Sequence, residues 1–137
     1  RDWSSDVCSS DLVLTAYTAA IDPRIKVAIP SCSFTSVMSA EGFIFHCDCC
    51  LVPKLRDWGD WKELGGLVAP RHLLIVHGVS DGLHHRPTVE KLGGQLKNIF
   101  KAAGAPNHTD LRWGNSGHRF YPDKMWPFIE KALAKKK

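Results

Sequence analysis

The sequence has no long apolar run and no block of like charges. No apolar stretch approaches the roughly 20 residues of a transmembrane helix, and no signal-peptide core follows Arg1. The net charge is +4, but the basic residues are scattered, except for a C-terminal lysine cluster that would complement a helix dipole. We therefore expect neither a membrane nor a nucleic acid partner. Because the chain does not begin with methionine, we also expect the native N-terminus to lie upstream.

Cysteines are few and odd in number, which argues against a disulfide framework. There are five in 137 residues, and 44% hydrophobic residues suffice for the core of one domain. One segment offers a cluster of possible zinc ligands: His46, Cys47, Cys49 and Cys50. Structural zinc sites usually pair two such clusters, and no second one follows. We expect reduced thiols, no metal site and no cofactor, with zinc as the alternative.

Residues 1–12 lack the periodicity of the rest of the chain. The segment Arg1-Asp-Trp-Ser-Ser-Asp-Val-Cys-Ser-Ser-Asp-Leu12 is rich in serine and aspartate and predicts neither helix nor strand. It resembles translated adapter or vector sequence of the kind that recurs in metagenomic assemblies, so we expect it to be non-native. An ordinary polar N-terminal segment is the alternative.

Beyond residue 12, helical and strand patterns alternate. The predicted elements are a helix (Val13–Ile21), a strand (Ile25–Ile29), a buried strand (Leu73–Val76), a helix (Pro87–Ala103), a strand (His108–Trp113) and a helix (Pro122–Leu133). This order predicts an α/β fold with a parallel sheet and flanking helices. We expect Gly93-Gly94 to pack closely on the sheet and Gly104 to end its helix. The last helix is expected to bury three large apolar residues: Trp126, Ile129 and Leu133.

Residues 34–69 are the least regular part of the chain. A loop of this length in a compact domain usually has a function. We predict a lid, or a wall of a substrate pocket, that crosses the strand ends and is lined by four aromatic side chains: Phe43, Phe45, Trp58 and Trp61. The alternatives are a simple connection with short helices, or a lid in which these aromatics form the core.

Two polar side chains follow the last two predicted strands. Asp81 comes soon after the strand Leu73–Val76, and His118, beside Gly117, follows the strand His108–Trp113. Functional groups collect at the carboxyl ends of strands in open α/β sheets, so these two should meet at one edge. A carboxylate that orients an imidazole base forms two thirds of a nucleophilic hydrolase centre. Each residue taken alone has an ordinary alternative: Asp81 as an aspartate in a turn, and His118 as a structural histidine. Gly117 would leave room for the ring and for substrate.

Three segments together resemble the C-terminal half of an α/β-hydrolase: Leu14–Ser31, Ala69–Asp81 and Gly117–Phe120. The likeness covers residues 13–134 and is strongest to dienelactone-hydrolase and acetyl-xylan-esterase-like enzymes, which in turn resemble the prolyl-oligopeptidase catalytic domain. It implies a serine esterase acting on a small ester or acylated substrate. The family's triad follows the chain order Ser, Asp, His, and Asp81 and His118 match its last two members.

The nucleophile elbow of that family, Gly-x-Ser-x-Gly-Gly, is not recognisable here. By register Ser9 takes the nucleophile position and Ser10 the oxyanion position, but Val7, Asp11 and Leu12 stand where glycines are expected. We therefore expect a fragment of a larger esterase with almost no activity of its own. The alternatives are a non-catalytic, hydrolase-like binding domain and a peptidase of the prolyl oligopeptidase type.

Overall fold

Three strands form one parallel sheet in the computed structural model, which describes residues 9–41 and 52–134. The elements are α1 (Ser9–Ile21), β1 (Val27–Ala28), α2 (Leu55–Trp58), α3 (Trp61–Gly66), β2 (His72–Gly78), α4 (Arg86–Ala102), β3 (Thr109–Gly114) and α5 (Pro122–Leu133). The strand order is β1-β2-β3, and Gly78 lies opposite Gly114 at the carboxyl ends of β2 and β3. The predicted α/β class with a parallel sheet is confirmed. Among the described helices, none has the length and apolar character needed to cross a bilayer.

Each face of β2 is covered by different helices, because successive side chains of a strand point to opposite faces. Leu73 and Ile75 belong to a cluster with residues of α1, α3 and α4, whereas Leu74 and Val76 pack with α5. Burial on both faces explains why β2 is an almost unbroken apolar run. The result is a sheet between two layers of helices, with β2 at its centre.

α1 begins at Ser9, earlier than the predicted start at Val13, so the end of the serine-rich segment is helical. The buried side chains Val13, Ala16 and Ala19 face the sheet. Their small size lets the helix approach β1 closely.

Arg71 fixes the other end of α1 to the start of β2. Its guanidinium donates hydrogen bonds of 2.7–3.2 Å to four backbone carbonyl oxygens, those of Ala19, Asp22, Ile25 and Leu67. Carbonyls in the last turn of a helix have no partner within the helix, and a cation there complements the helix dipole. One side chain therefore holds α1, the turn after it and the segment after α3 together.

The described part of the irregular segment 34–69 contributes to the core. α3 packs against α1 and α4, and Trp61 is fully buried, with its ring 5.6 Å from that of Phe34 and 5.7 Å from that of Tyr17. The prediction that Trp61 lines a substrate pocket is wrong, because large apolar side chains surround it. Trp58 is 57% exposed, and Phe43 and Phe45 lie outside the described residues.

Asp60 links the start of the irregular segment 34–69 to α3. Its buried carboxylate caps the helix at the Trp61 N–H, and the Glu63 carboxylate accepts in return from the Asp60 N–H. The same carboxylate accepts from Ser36 Oγ at 2.5 Å and from the Val37 N–H at 2.9 Å. This capping box therefore also holds the chain near residue 36 against α3.

α4 buries one apolar face, and packing explains one of its two glycines. A Cβ at Gly93 would lie 2.9 Å from Leu111 Cδ2, whereas a Cβ at Gly94 would have no atom within 4 Å. The close approach to β3 therefore requires glycine at position 93 only. Gly104, with a φ of 72°, follows the end of the helix as expected.

α5 has the predicted bounds but buries a different face. Met125 and Phe128 are buried, whereas Trp126 is 58% and Leu133 60% exposed. The expectation that Trp126, Ile129 and Leu133 are buried is therefore wrong, and Ile129 is only half-buried. Trp126 and Leu133 lie on the outer side of the helix.

Candidate active site

Asp81 and His118 lie side by side at the carboxyl edge of the sheet. His118 Nδ1 is 3.0 Å from Asp81 Oδ2, and Asp81 Oδ1 accepts a hydrogen bond of 3.0 Å from the Leu83 N–H. The Asp81 side chain is 1% exposed and that of His118 is 24% exposed. The carboxylate is therefore buried behind an imidazole that solvent can reach.

Hydrogen bonds keep the Asp81 carboxyl group ionised. Burial by itself raises its pKa, but the bonds from His118 and the Leu83 N–H, together with nearby His84, lower it to about 2 from an ordinary value of 3.8. Asp81 is therefore a carboxylate at neutral pH and can only accept. The proton of a neutral His118 then lies on Nδ1, and Nε2 presents its lone pair, which is the tautomer that a general base needs.

The loop that carries His118 lies directly over the ends of β2 and β3. A Cβ at Gly78 would be 2.2 Å from Gly117 O, and a Cβ at Gly114 would be 2.0 Å from Tyr121 Cε1. The Tyr121 hydroxyl donates to Gly117 O. At Gly117 a Cβ would meet only Ser80 O, at 3.6 Å. The glycines on which the loop depends are therefore Gly78 and Gly114, which the sequence analysis missed, and not Gly117.

Two buried histidines lie behind this pair. His84 Nε2 is 2.7 Å from Cys32 O, and its ring centroid is 5.9 Å from that of His118 and 4.8 Å from that of His77. His77 Nε2 is 2.9 Å from Phe34 O, and burial, followed by the nearby His84, lowers the pKa of His77 to about 3, so it is neutral. The sequence analysis missed both residues, although three histidines within nine residues of one strand and its loop were a signal.

Cys32 closes the same corner from the end of β1. It is fully buried with a φ of 50°, its N–H donates to Val76 O at 2.7 Å, and its Sγ donates to Arg119 O at 3.5 Å. Burial raises the pKa of the Cys32 thiol. Because the nucleophilic form of cysteine is the thiolate, Cys32 is not set up as a nucleophile.

Ser9 and Ser10 are the first two residues of α1. Arg71 ties the C-terminal end of α1 to the start of β2, so the helix runs antiparallel to the strands. A 13-residue helix rises about 20 Å, and a seven-residue strand spans about 23 Å. The N-terminus of α1 is therefore directed toward the edge that carries Asp81 and His118, and the roles of the two serines stay predictions.

The remaining predicted site residues are separate from this pair. Trp58 lines a surface cavity of about 590 Å³ together with Met38, Glu41 and Lys91. The segment with the possible zinc ligands His46, Cys47, Cys49 and Cys50 lies outside the described residues.

No family model matches the sequence. The chain is 31% identical over 110 residues to "Putative hydrolase YtaP" of Bacillus subtilis (strain 168), an alignment that covers 74% of this chain and 35% of that protein. The chain thus spans about a third of the length of the curated relative that it matches.

Two glucuronoyl esterases of solved structure have a fold similar to that of this chain. A carbohydrate esterase family 15 glucuronoyl esterase from Caldicellulosiruptor kristjansonii matches with a TM-score of 0.74 and 16% identity, over 92% of this chain and 42% of that one. The glucuronoyl esterase catalytic domain Cip2_GE from Hypocrea jecorina matches with a TM-score of 0.72 and 16% identity, over 95% of this chain and 44% of that one.

The described residues form a parallel sheet between two helical layers, with an acid and a histidine in contact at its carboxyl edge, which defines the α/β class of fold. The fold that the chain shares with these structures is the α/β-hydrolase fold, as the sequence motifs indicated.

Proposed function

We propose that the protein is a serine hydrolase that cleaves the ester bond of a small acylated substrate, with Asp81 and His118 as two members of its triad. The observation that carries this proposal is the 3.0 Å contact between His118 Nδ1 and Asp81 Oδ2 at the carboxyl edge of a parallel sheet. The names of the similar proteins, two glucuronoyl esterases and a hydrolase, support ester hydrolysis.

In the proposed reaction, His118 Nε2 takes the proton of a serine hydroxyl as its oxygen attacks the acyl carbon. His118 then gives this proton to the departing alkoxide, and a water molecule, deprotonated in the same way, releases the acid from the acyl-serine. Asp81 stays ionised and stabilises the imidazolium. Backbone N–H groups at the start of α1 stabilise the oxyanion, and each such donor is worth about 100- to 1000-fold in rate.

We place the nucleophile at Ser9 and an oxyanion N–H at Ser10, by register with the family's elbow. Glycines in that elbow permit a strained turn between strand and helix. Val7, Asp11 and Leu12 replace them and disfavour such a turn. The chain as it stands should therefore hydrolyse esters very slowly, and we propose that it is a part of a larger esterase.

Restoring the glycines tests this proposal. In the triple variant Val7→Gly/Asp11→Gly/Leu12→Gly, a fluorophosphonate probe should label Ser9 faster than in the unmodified chain. Adding His118→Gln should slow that labelling by about 100-fold or more, because it removes the general base. Hydrolysis of p-nitrophenyl acetate should change in parallel.

His85→Gln and Ser9→Ala are the controls. His85 is exposed and lies in the loop after β2, so its loss should leave labelling unchanged, whereas Ser9→Ala should abolish it. Strong labelling of Ser9 in the unmodified chain would contradict the proposed low activity. If the triple variant is labelled at the same rate with and without His118→Gln, the proposed triad is contradicted. If no variant is labelled, the binding-domain alternative is favoured.

A further inference from the structure

Asp81 and His118 belong to a larger cluster that the hydrolase reaction does not need. Asp81, His84 and His118 each offer one ligand atom, and these atoms all lie within 4.8 Å of one another. Asp81 and His84 come from the loop after β2, and His118 comes from the loop after β3. We propose that these three side chains form a binding site for a divalent transition-metal ion, with zinc as the best fit.

The donor set suits zinc, which binds imidazole nitrogen and carboxylate oxygen. His84 Nε2 faces Cys32 O at 2.7 Å, and a carbonyl oxygen can only accept, so Nε2 carries the proton. The lone pair of His84 therefore lies on Nδ1. Histidines that bind metals commonly donate their second N–H to a backbone carbonyl in this way. The protein thus selects the tautomer of His84 that a metal ligand requires.

The distances require only a small adjustment. Two ligands at 2.0 Å from a tetrahedral zinc ion lie about 3.3 Å apart. His118 Nδ1 and Asp81 Oδ2 are already 3.0 Å apart. Zinc would bind between them after solvent exchange moves the His118 proton from Nδ1 to Nε2, so the ring stays a neutral imidazole. The ligand atoms of the set are at most 4.8 Å apart, so each remaining pair of ligand atoms has to approach by about 1.5 Å or less.

The route to the site and its surroundings favour this set over its neighbour. The His118 side chain is 24% exposed, so an ion can reach it from solvent. A second set, Cys32 and His77 with the same Asp81, also has its ligand atoms within 4.8 Å. Both of those additional side chains are fully buried, and the thiol would have to lose its proton in an apolar setting.

Zinc at this site would stop the proposed hydrolase reaction. His118 Nδ1 cannot carry both a proton and a metal ion, so the metal-bound form lacks the hydrogen bond that orients the base. Metal binding can be measured without any ester. A failure to bind metal would therefore leave the hydrolase proposal standing. A failure to hydrolyse esters would likewise leave the metal site standing.

Titration of the full chain with zinc chloride, followed by calorimetry, tests the site. All variants carry Cys47→Ser, Cys49→Ser and Cys50→Ser, which remove competing thiols. We expect His84→Gln to weaken zinc binding by at least the 10- to 100-fold typical of losing an outer-shell partner. Glutamine keeps an N–H for Cys32 O but offers no ring lone pair. His85→Gln, the exposed neighbour, should bind zinc as the parent does.

Cobalt(II) in place of zinc reports the ligands. The expected spectrum has tetrahedral d–d bands without the charge-transfer band of a thiolate, and it should be lost in His118→Gln as well as in His84→Gln. That second variant lies on the other loop, so it covers the case in which His84→Gln does not fold. Equal zinc affinity in His84→Gln and His85→Gln, loss of binding in Cys32→Ser, or no binding in the parent would each overturn the proposal.

Discussion

Replacing Gly114 with alanine should disrupt the loop that carries His118. The added methyl carbon would lie 2.0 Å from Cε1 and 2.1 Å from Cδ1 of the Tyr121 ring. Carbon atoms pack best at about 3.5–4.0 Å, so the ring would have to retreat by about 1.5 Å. Tyr121 is only 1% exposed, and its hydroxyl holds Gly117 O. We expect a loss of about 3 kcal/mol in the free energy of unfolding, at the upper end of overpacking effects.

Gly117→Ala is the matched control, because its Cβ would meet only Ser80 O, at 3.6 Å. It should change the free energy of unfolding by less than about 1 kcal/mol. Urea unfolding measures both variants, and the NMR signals of the His118 ring report whether the contact with Asp81 persists. Equal stability of the two variants, within about 0.5 kcal/mol, together with unchanged His118 signals in Gly114→Ala, would refute the reasoning.

Further predictions concern the end of α1, the core under α5 and the loss of stability at acidic pH. Arg71→Ala should cost about 2–3 kcal/mol in urea unfolding, since it leaves four carbonyls without their donor. Arg86→Ala, which removes an exposed helix ion pair and a cation–π contact with Trp113, should cost about 1 kcal/mol or less. Phe128→Ala should cost about 3–4 kcal/mol and Trp126→Ala, on the exposed face, less than about 1; the reverse order would contradict the observed rotation of α5. The pKa of Asp81 is lowered on folding, so its stabilisation of about 2 kcal/mol is complete above pH 3.8 and is lost as the pH falls toward 2. Asp81→Asn should flatten that part of a stability–pH profile, and an unchanged slope would count against the ionised contact.

The sheet was predictable because its central strand is buried on both faces. The run Leu73–Val76 gave the position of β2, but the strand extends to His72 and Gly78. Apolar patterns report side-chain burial and not backbone pairing, so they miss polar strand residues such as His77. His77 is fully buried because Phe34 O pairs with its ring, a contact across 43 positions of sequence that no local pattern contains.

The rotation of α5 was not predictable from periodicity. Its sequence contains two apolar stripes at helical spacing, one with Trp126 and one with Met125 and Phe128. Tyr121 selects between them, because it is buried over Gly114 and continues as i+4 and i+7 into Met125 and Phe128. The choice depends on a contact with β3, and hydrophobicity alone gave the larger tryptophan too much weight.

The contact between Asp81 and His118 followed from topology, since loops after adjacent parallel strands share one edge. The position of His84 did not follow, because the path of the loop after β2 decides it. Trp61 was misplaced for a related reason. The capping box at Asp60 starts a helix there and turns the aromatic ring inward, toward α1.

The contact between Gly114 and Tyr121 also constrains how this protein can change by descent. A lineage that acquires any side chain at position 114 must first replace the tyrosine at position 121 with a smaller residue. That residue would lack the hydroxyl that anchors the loop carrying His118. Single-step drift at either position should therefore be rare among homologues, and where one of the two differs, the other should differ as well.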